Sequence, residues 1–166
     1  FMEQLVGQEG MGAKALLFLI LTAARSGEVR GATWEEIDLA ARVWTIPAER
    51  MKASKAHRVP LSDAAIALLQ EMKALAQAAG RNSGKAYVFP SPNSRDPELG
   101  SALSDMTLTA VLRRLKLEAV PHGFRSTFRD WCAEQTDYPN EVAEMALAHA
   151  VGNKVEAAYR RGDLLA

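Results

Sequence analysis

Apolar segments with helical spacing alternate with short polar stretches along this chain, which predicts a mostly helical domain. Residues 12–24 are apolar on nearly all sides and rich in Ala and Leu, so they predict a buried helix. A short helix follows with Ser26 as its cap, and a long one runs from a cap at Ser62 or Asp63 to about residue 79, where Gly80 favours termination. Further helices are predicted at residues 105–117, 123–135, 140–148 and 154–160.

Two short segments, residues 42–47 and 57–61, have the composition of strands. The polar and basic residues 49–56 between them predict a hairpin-like connection, and residues 33–38 predict a capped turn. Residues 81–100 are rich in Gly, Pro, Ser and Asn and predict a surface loop around one apolar piece, residues 87–89. The expected fold is therefore a single α+β domain, mostly helical, with a small antiparallel sheet.

Length and composition indicate the class of protein and the cellular compartment to expect. A length of 166 residues suits one domain, and 48% hydrophobic residues suit a globular core. The apolar run at residues 15–24 is too short to span a bilayer, and Glu3 and Glu9 stand where a signal peptide would be basic. The lone Cys132 excludes an internal disulfide and fits a small core residue in a reducing cytoplasm. Because the first residue is Phe, we expect a fragment of a longer protein.

The charge is balanced overall but segregated along the sequence. Twenty basic and twenty acidic residues give a net charge of zero, which by itself argues against binding to nucleic acid. Basic residues nevertheless cluster at residues 42–58 and 113–129, whereas acidic residues cluster at 28–38 and 134–144. Such segregation permits a basic face, although ordinary solvated helix faces explain any single cluster equally well.

Three short motifs carry the candidate chemistry. They are Arg25-Ser26-Gly27-Glu28, His122-Gly123-Phe124-Arg125, and a C-terminal segment in which His149 precedes Tyr159 by ten residues. A Tyr hydroxyl is a poor nucleophile at neutral pH and needs a base and a strongly electrophilic target. Two Arg and two His are the groups that recognise one such target, a phosphodiester.

With these motifs in this order, the chain resembles the catalytic domain of the tyrosine recombinases, most closely the phage and prophage integrases. The resemblance covers nearly the whole chain and implies the DNA breaking-rejoining fold of that family. It also implies site-specific recombination, in which a mobile element is integrated or excised through a 3′-phosphotyrosyl intermediate at Tyr159. The implied partners are double-stranded DNA at attachment sites, further copies of the protein up to a tetramer, and accessory DNA-bending proteins. N-terminal DNA-binding domains, usual in the family, are expected to be missing here.

The resemblance assigns a role to each matching residue. Arg25 and Arg125 would clamp the scissile phosphate, and His149 would add a hydrogen bond to it. His122 would act as general base, and Glu28 would orient an Arg or a His. From the residues alone, Arg25 can instead be a cation at a helix C-terminus, and His149 a C-terminal cap. For Glu28, an exposed acid in the first turn of a helix is an equally good interpretation without the resemblance.

The basic residues of the predicted hairpin are assigned less securely. Lys52 matches the family's general acid, Lys55 competes for that role, and a solvated hairpin lysine is the plain alternative. Lys55, Arg58 and the helical Arg129 are predicted DNA contacts. His57 is predicted to be a surface residue or a contact to the DNA backbone.

The sequence shows no metal-binding cluster and no Gly-rich phosphate loop, so no cofactor is expected. A phosphotyrosine linkage conserves the energy of the broken phosphodiester, and rejoining therefore needs no nucleotide. Two alternatives remain at this stage. One is relaxation of a single duplex by a type IB topoisomerase, and the other is a DNA-binding module that has lost catalysis. The complete set of Arg, His and Tyr residues argues against the second.

Overall fold

The computed structural model describes residues 1–149, and this range forms a helical domain with one small sheet. The helices are α1 (Met2–Val6), α2 (Met11–Thr22), α3 (Ser26–Arg30), α4 (Asp63–Ala78), α5 (Thr107–Arg114), α6 (Gly123–Gln135) and α7 (Asn140–Ala146). The strands are β1 (Ile37–Asp38), β2 (Val43–Ile46) and β3 (His57–Pro60), and single 3₁₀ turns cover Trp34–Glu36 and Ala48–Arg50. The predicted fold class, α+β with a small antiparallel sheet, is confirmed.

The sheet has the order β1-β2-β3, and both pairings are antiparallel. Trp44 on β2 lies opposite Val59 on β3 and Ile37 on β1, and Ile46 lies opposite His57. The predicted hairpin is confirmed, with strands one or two residues shorter than expected. The sequence did not predict β1, since two residues are too few to show strand alternation.

The core is built around α2, which is packed between α4 and α5. Phe18 of α2 contacts both Trp44 and Phe89, with ring centroids 5.2 and 5.4 Å apart. The loop that carries Phe89 is fixed to the domain by a backbone bond of 2.9 Å from Val88 N–H to the carbonyl of Ala32. The long polar loop therefore contributes its apolar centre to the core.

Several helices end earlier than the sequence predicts, and backbone geometry gives the reason. Helix α2 stops at Thr22 because Ala23 adopts a left-handed conformation, with φ of 49°. Ala148 after α7 and Lys116 after α5 do the same, with φ of 50° and 57°. None of these residues is Gly, so the usual termination signal was absent. The predicted helix at residues 154–160 lies outside the described residues.

Two further expectations concern single residues. Of the two candidate caps for α4, Ser62 is the one used, since its Oγ accepts a hydrogen bond from Ala65 N–H at 3.3 Å. Cys132 is buried, as predicted, and burial raises the pKa of its thiol. Among residues 1–149, no helix combines the length and apolar character needed to cross a membrane.

Candidate active site

Arg25 stands between the end of α2 and the first turn of α3, and Glu28 holds it there. The Glu28 carboxylate is buried and accepts hydrogen bonds of 2.7 Å from both the backbone N–H and the guanidinium of Arg25. An acid in the first turn is also favoured by the helix dipole. The Arg25 side chain remains 29% exposed, so its guanidinium is oriented by Glu28 but still open to a ligand.

Arg125 lies one turn into α6 and is almost completely buried, with 4% of its surface exposed. One terminal nitrogen, Nη1, donates to the carbonyl of Ala23 at the end of α2. The other, Nη2, donates to the carbonyl of Leu147 at the end of α7, at 2.5 Å. A single guanidinium thus closes the C-terminal ends of two helices, where a cation is favoured.

The two arginines are close enough for the charge of one to act on the other. Burial lowers the pKa of Arg125, the positive charge of Arg25 lowers it further, and Glu28 opposes the shift. Two guanidinium groups therefore share one nearby carboxylate, and the site keeps an excess of positive charge. Such an arrangement is suited to an anion. The helix-dipole role considered for Arg25 belongs instead to Arg125.

His149 completes this cluster from the segment that follows α7. Its Nδ1–H donates to Glu144 at 2.8 Å, which leaves Nε2 as the acceptor that faces Arg125 Nη2 at 3.3 Å. Glu144 is in turn bound by Arg129, with Nε to carboxylate oxygen at 2.6 Å. Hydrogen bonds from Arg129 and from His149 lower the pKa of Glu144.

The structure thus brings Arg25, Glu28, Arg125 and His149 together, although the first two lie about a hundred residues before Arg125. The remaining predicted residues are more peripheral. His122 is exposed at the N-cap position of α6, and Lys52 and Lys55 are exposed on the connection between β2 and β3. Within residues 1–149, no hydrogen bond joins these three to either arginine. Tyr159 lies outside the described residues.

One basic residue predicted as a DNA contact, Arg129, has structural partners that the sequence did not reveal. Arg129 pairs with Glu144 and also donates to the side chain of Asn140, so it joins α6 to α7. Its contact to DNA stays a prediction, as does that of Arg58, which is exposed on β3.

His57 differs from its expected surface position. The ring is partly buried, and its Nε2–H donates to the carbonyl of Ala146 at 3.2 Å. Burial lowers the pKa of His57, the bond to Ala146 and the charge of Glu28 oppose this, and Arg125 and Arg25 add to the lowering. His57 therefore belongs to the same neighbourhood as the two arginines. Its partner lies 89 residues away, so no local pattern could have indicated it.

The cluster consists mainly of fixed cationic hydrogen-bond donors. Among the described residues, no group of three or more His, Cys, Asp or Glu side chains could hold a metal ion. The arrangement can bind and polarise a tetrahedral oxyanion by fixed, charged donors, which are most effective where water is largely excluded.

Comparison with known proteins extends over nearly the whole chain. The sequence profile of the phage integrase family matches residues 8–163. Prophage integrase IntA of Escherichia coli strain K12 is 38% identical over 151 residues, covering 90% of this chain and 34% of that protein. This chain spans about a third of the length of the curated relatives that it matches.

Solved structures show the same fold at low sequence identity. XerA recombinase matches with a TM-score of 0.70 and 16% identity, over 89% of this chain and 50% of that one. The Tn1549 transposon integrase, residues 82–397 in complex with circular intermediate DNA, matches with a TM-score of 0.59 and 16% identity. That match covers 96% of this chain and 61% of the integrase.

Proposed function

The chain belongs to the phage integrase family, and on that premise we propose that it cleaves and rejoins DNA in site-specific recombination. The observation that carries this proposal is the convergence of Arg25, Arg125 and His149 on one site. These residues are held by three different elements, α3, α6 and the end of α7. The same residues match the phosphate-binding positions that the resemblance implies.

The phosphate would enter between Arg125 and His149. Nη2 of Arg125 already directs a hydrogen toward His149 Nε2, and an oxygen of the scissile phosphate would take that hydrogen instead. His149, protonated on both nitrogens, would then add a second donor while Glu144 holds its Nδ1–H. Arg25 would contact a neighbouring oxygen, since Glu28 fixes its guanidinium without burying it.

The reaction would then proceed through Tyr159. Its hydroxyl oxygen would attack phosphorus, forming the Tyr–O–P bond, while His122 accepts the phenolic proton. The bond from phosphorus to the 5′ oxygen would break, and Lys52 would donate a proton to that oxygen. The products are a 3′-phosphotyrosyl linkage and a free 5′-hydroxyl. Attack by the 5′-hydroxyl of another strand reverses each step and rejoins the DNA.

The proposed substrate is double-stranded DNA at two attachment sites, and the proposed assembly is a multimer, a tetramer when both sites are engaged. DNA appears in the neighbouring Tn1549 integrase complex, which supports this part of the proposal. Accessory DNA-bending proteins would help to bring the sites together. The recombinase itself would work in the cytoplasm, next to the bacterial nucleoid.

The test is capture of the covalent intermediate. The attachment sequence is first mapped at the genomic junctions of the element that encodes this chain. A duplex of that sequence, nicked near the cleavage point so that the short fragment carrying the new 5′-hydroxyl diffuses away, should trap a protein–DNA adduct from the wild-type protein.

Matched variants and a second substrate make the result specific. Tyr159→Phe removes one oxygen and should abolish the adduct while DNA binding persists, whereas Tyr138→Phe should keep the adduct. An adduct that persists in Tyr159→Phe would show that another residue is the nucleophile. Relaxation of supercoiled plasmids that lack the mapped site would favour a topoisomerase instead. Binding without any adduct would favour a non-catalytic module.

A further inference from the structure

The end of α7 has an unusual set of hydrogen-bond partners. The last four carbonyls of any α-helix have no partner within the helix. Two of them are satisfied locally: His149 N–H donates to the Glu144 carbonyl at 2.9 Å, and Ala148 N–H donates to that of Met145, also at 2.9 Å. With Ala148 in the left-handed region, this is the Schellman arrangement of a helix end.

The other two carbonyls are satisfied by side chains from distant elements. The Leu147 carbonyl accepts from Arg125 Nη2 at 2.5 Å, and the Ala146 carbonyl accepts from His57 Nε2 at 3.2 Å. Arg125 comes from α6, and His57 is the first residue of β3. The turn that leads to His149 is therefore held from two sides, by one phosphate-binding residue and by one residue of the sheet.

His57 also lies directly beside the connection between β2 and β3. It pairs with Ile46 at the loop end of the β2–β3 ladder, and the connection that carries the exposed Lys52 and Lys55 leads directly into it. A bond from His57 to the end of α7 therefore joins that connection to the segment with His149. Without this bond, the two could move relative to each other.

We propose that His57 is a positioning residue for the strand-cleavage reaction, which docks the end of α7 and His149 against the β2–β3 hairpin. His57 would contact only groups of the protein and would not touch the phosphate. The proposal rests on the function proposed above, because it concerns the alignment of that same site. A misplacement of about 1 Å in a reacting group can cost about 100-fold in rate. We therefore expect loss of the bond to lower the cleavage rate by about 10- to 100-fold.

The first experiment measures the docking itself and needs no DNA. Amide hydrogen exchange, read by mass spectrometry on a peptide that spans α7 to His149, is compared between wild type and two variants. His57→Leu removes the donor and should accelerate exchange of the amides at Leu147, Ala148 and His149. His57→Gln keeps an N–H donor at a similar distance from the backbone and should leave the exchange close to wild type. Equal exchange in His57→Leu and wild type would overturn the docking.

The second experiment measures single-turnover formation of the covalent adduct on the nicked attachment-site duplex, with the complete protein encoded by the gene. His57→Leu should lower the maximal rate about 10- to 100-fold with unchanged half-saturating DNA concentration, and His57→Gln should restore most of it. Thr45→Val, an exposed substitution on β2, is the control for a general disturbance of the sheet and should react normally.

The outcomes separate this inference from the function on which it rests. Adduct formation by wild type and by His57→Leu at equal rates would overturn the role of His57 alone. A failure of His57→Gln to rescue, or weaker DNA binding in His57→Leu with a normal maximal rate, would also overturn it. No adduct from the wild-type protein would overturn the proposed function and, with it, the positioning role.

Discussion

Replacement of Arg125 by Lys should cost stability as well as activity, whereas the same change at Arg25 should cost activity almost alone. The guanidinium of Arg125 is buried and donates to two carbonyls, those of Ala23 and Leu147, which belong to different helices. A lysine ammonium is a single point and can reach only one of them. A hydrogen bond from a charged donor contributes about 1.5–3 kcal/mol, so Arg125→Lys should lower the free energy of unfolding by about that amount.

Arg25→Lys is the matched control, because it makes the same chemical change at a site with different contacts. Arg25 is part-exposed, its only described side-chain partner is Glu28, and a lysine can keep that ion pair. We expect a stability loss of less than about 1 kcal/mol. In the adduct assay, by contrast, each variant should react about 10²–10³-fold more slowly, since each loses a preorganised, forked donor to the phosphate.

Urea unfolding followed by circular dichroism at pH 7 measures the stability difference, provided that both variants keep the wild-type dependence on urea concentration. Equal losses of stability in the two variants would refute the assignment of Arg125 to the two helix ends. A near-normal cleavage rate in either variant would refute the phosphate clamp.

Three further predictions test neighbouring parts of the molecule. Lys52→Ala should cleave ordinary DNA roughly 10²–10⁴-fold more slowly but react normally when sulfur replaces the bridging 5′ oxygen, because that leaving group needs no acid. The same rescue in Lys55→Ala would show that Lys55, rather than Lys52, is the general acid. The folded-state pKa of Glu144 lies below its ordinary value of 4.5, so the ionised carboxylate stabilises the fold fully above that pH and loses this effect as the pH falls further. The difference in unfolding free energy between wild type and Glu144→Gln should therefore shrink on acidification, and a constant difference would contradict this. A Cβ on Gly31 would lie 2.8 Å from Nη2 of Arg50, whose guanidinium is held by hydrogen bonds to Glu36 and to the Glu28 carbonyl. Gly31→Ala should therefore cost about 1–3 kcal/mol in wild type and little in an Arg50→Ala background.

The sequence predicted those parts of the fold that local patterns determine. The helix Gly123–Gln135 was predicted with its observed ends. The hairpin of β2 and β3 followed from two short runs of strand-forming residues. The ends of α2 and α7 were missed because alanines, rather than glycines, adopt the left-handed conformation there.

Contacts between distant segments could not be predicted in the same way. The charge pattern suggested DNA contact for Arg129, but its bond to Glu144 depends on how α6 packs against α7. Likewise, nothing near His57 in the sequence indicates Ala146. The grouping of Arg25 with Arg125 was expected only because the family resemblance implied it, since composition and spacing alone do not bring two such residues together.

The way in which Arg125 is buried also explains how a chain of zero net charge could hold the proposed phosphate site. A buried cation needs hydrogen-bond partners, and a carboxylate would supply them but would also cancel the charge. The two terminal nitrogens of Arg125 donate instead to backbone carbonyls at two helix ends, whose dipoles favour a cation without neutralising it. The charge of Glu28 acts on both guanidinium groups, and an incoming phosphate would supply the negative charge that the site lacks. The charge that matters for binding is thus set by local partners, and the whole-chain balance of basic and acidic residues says little about it.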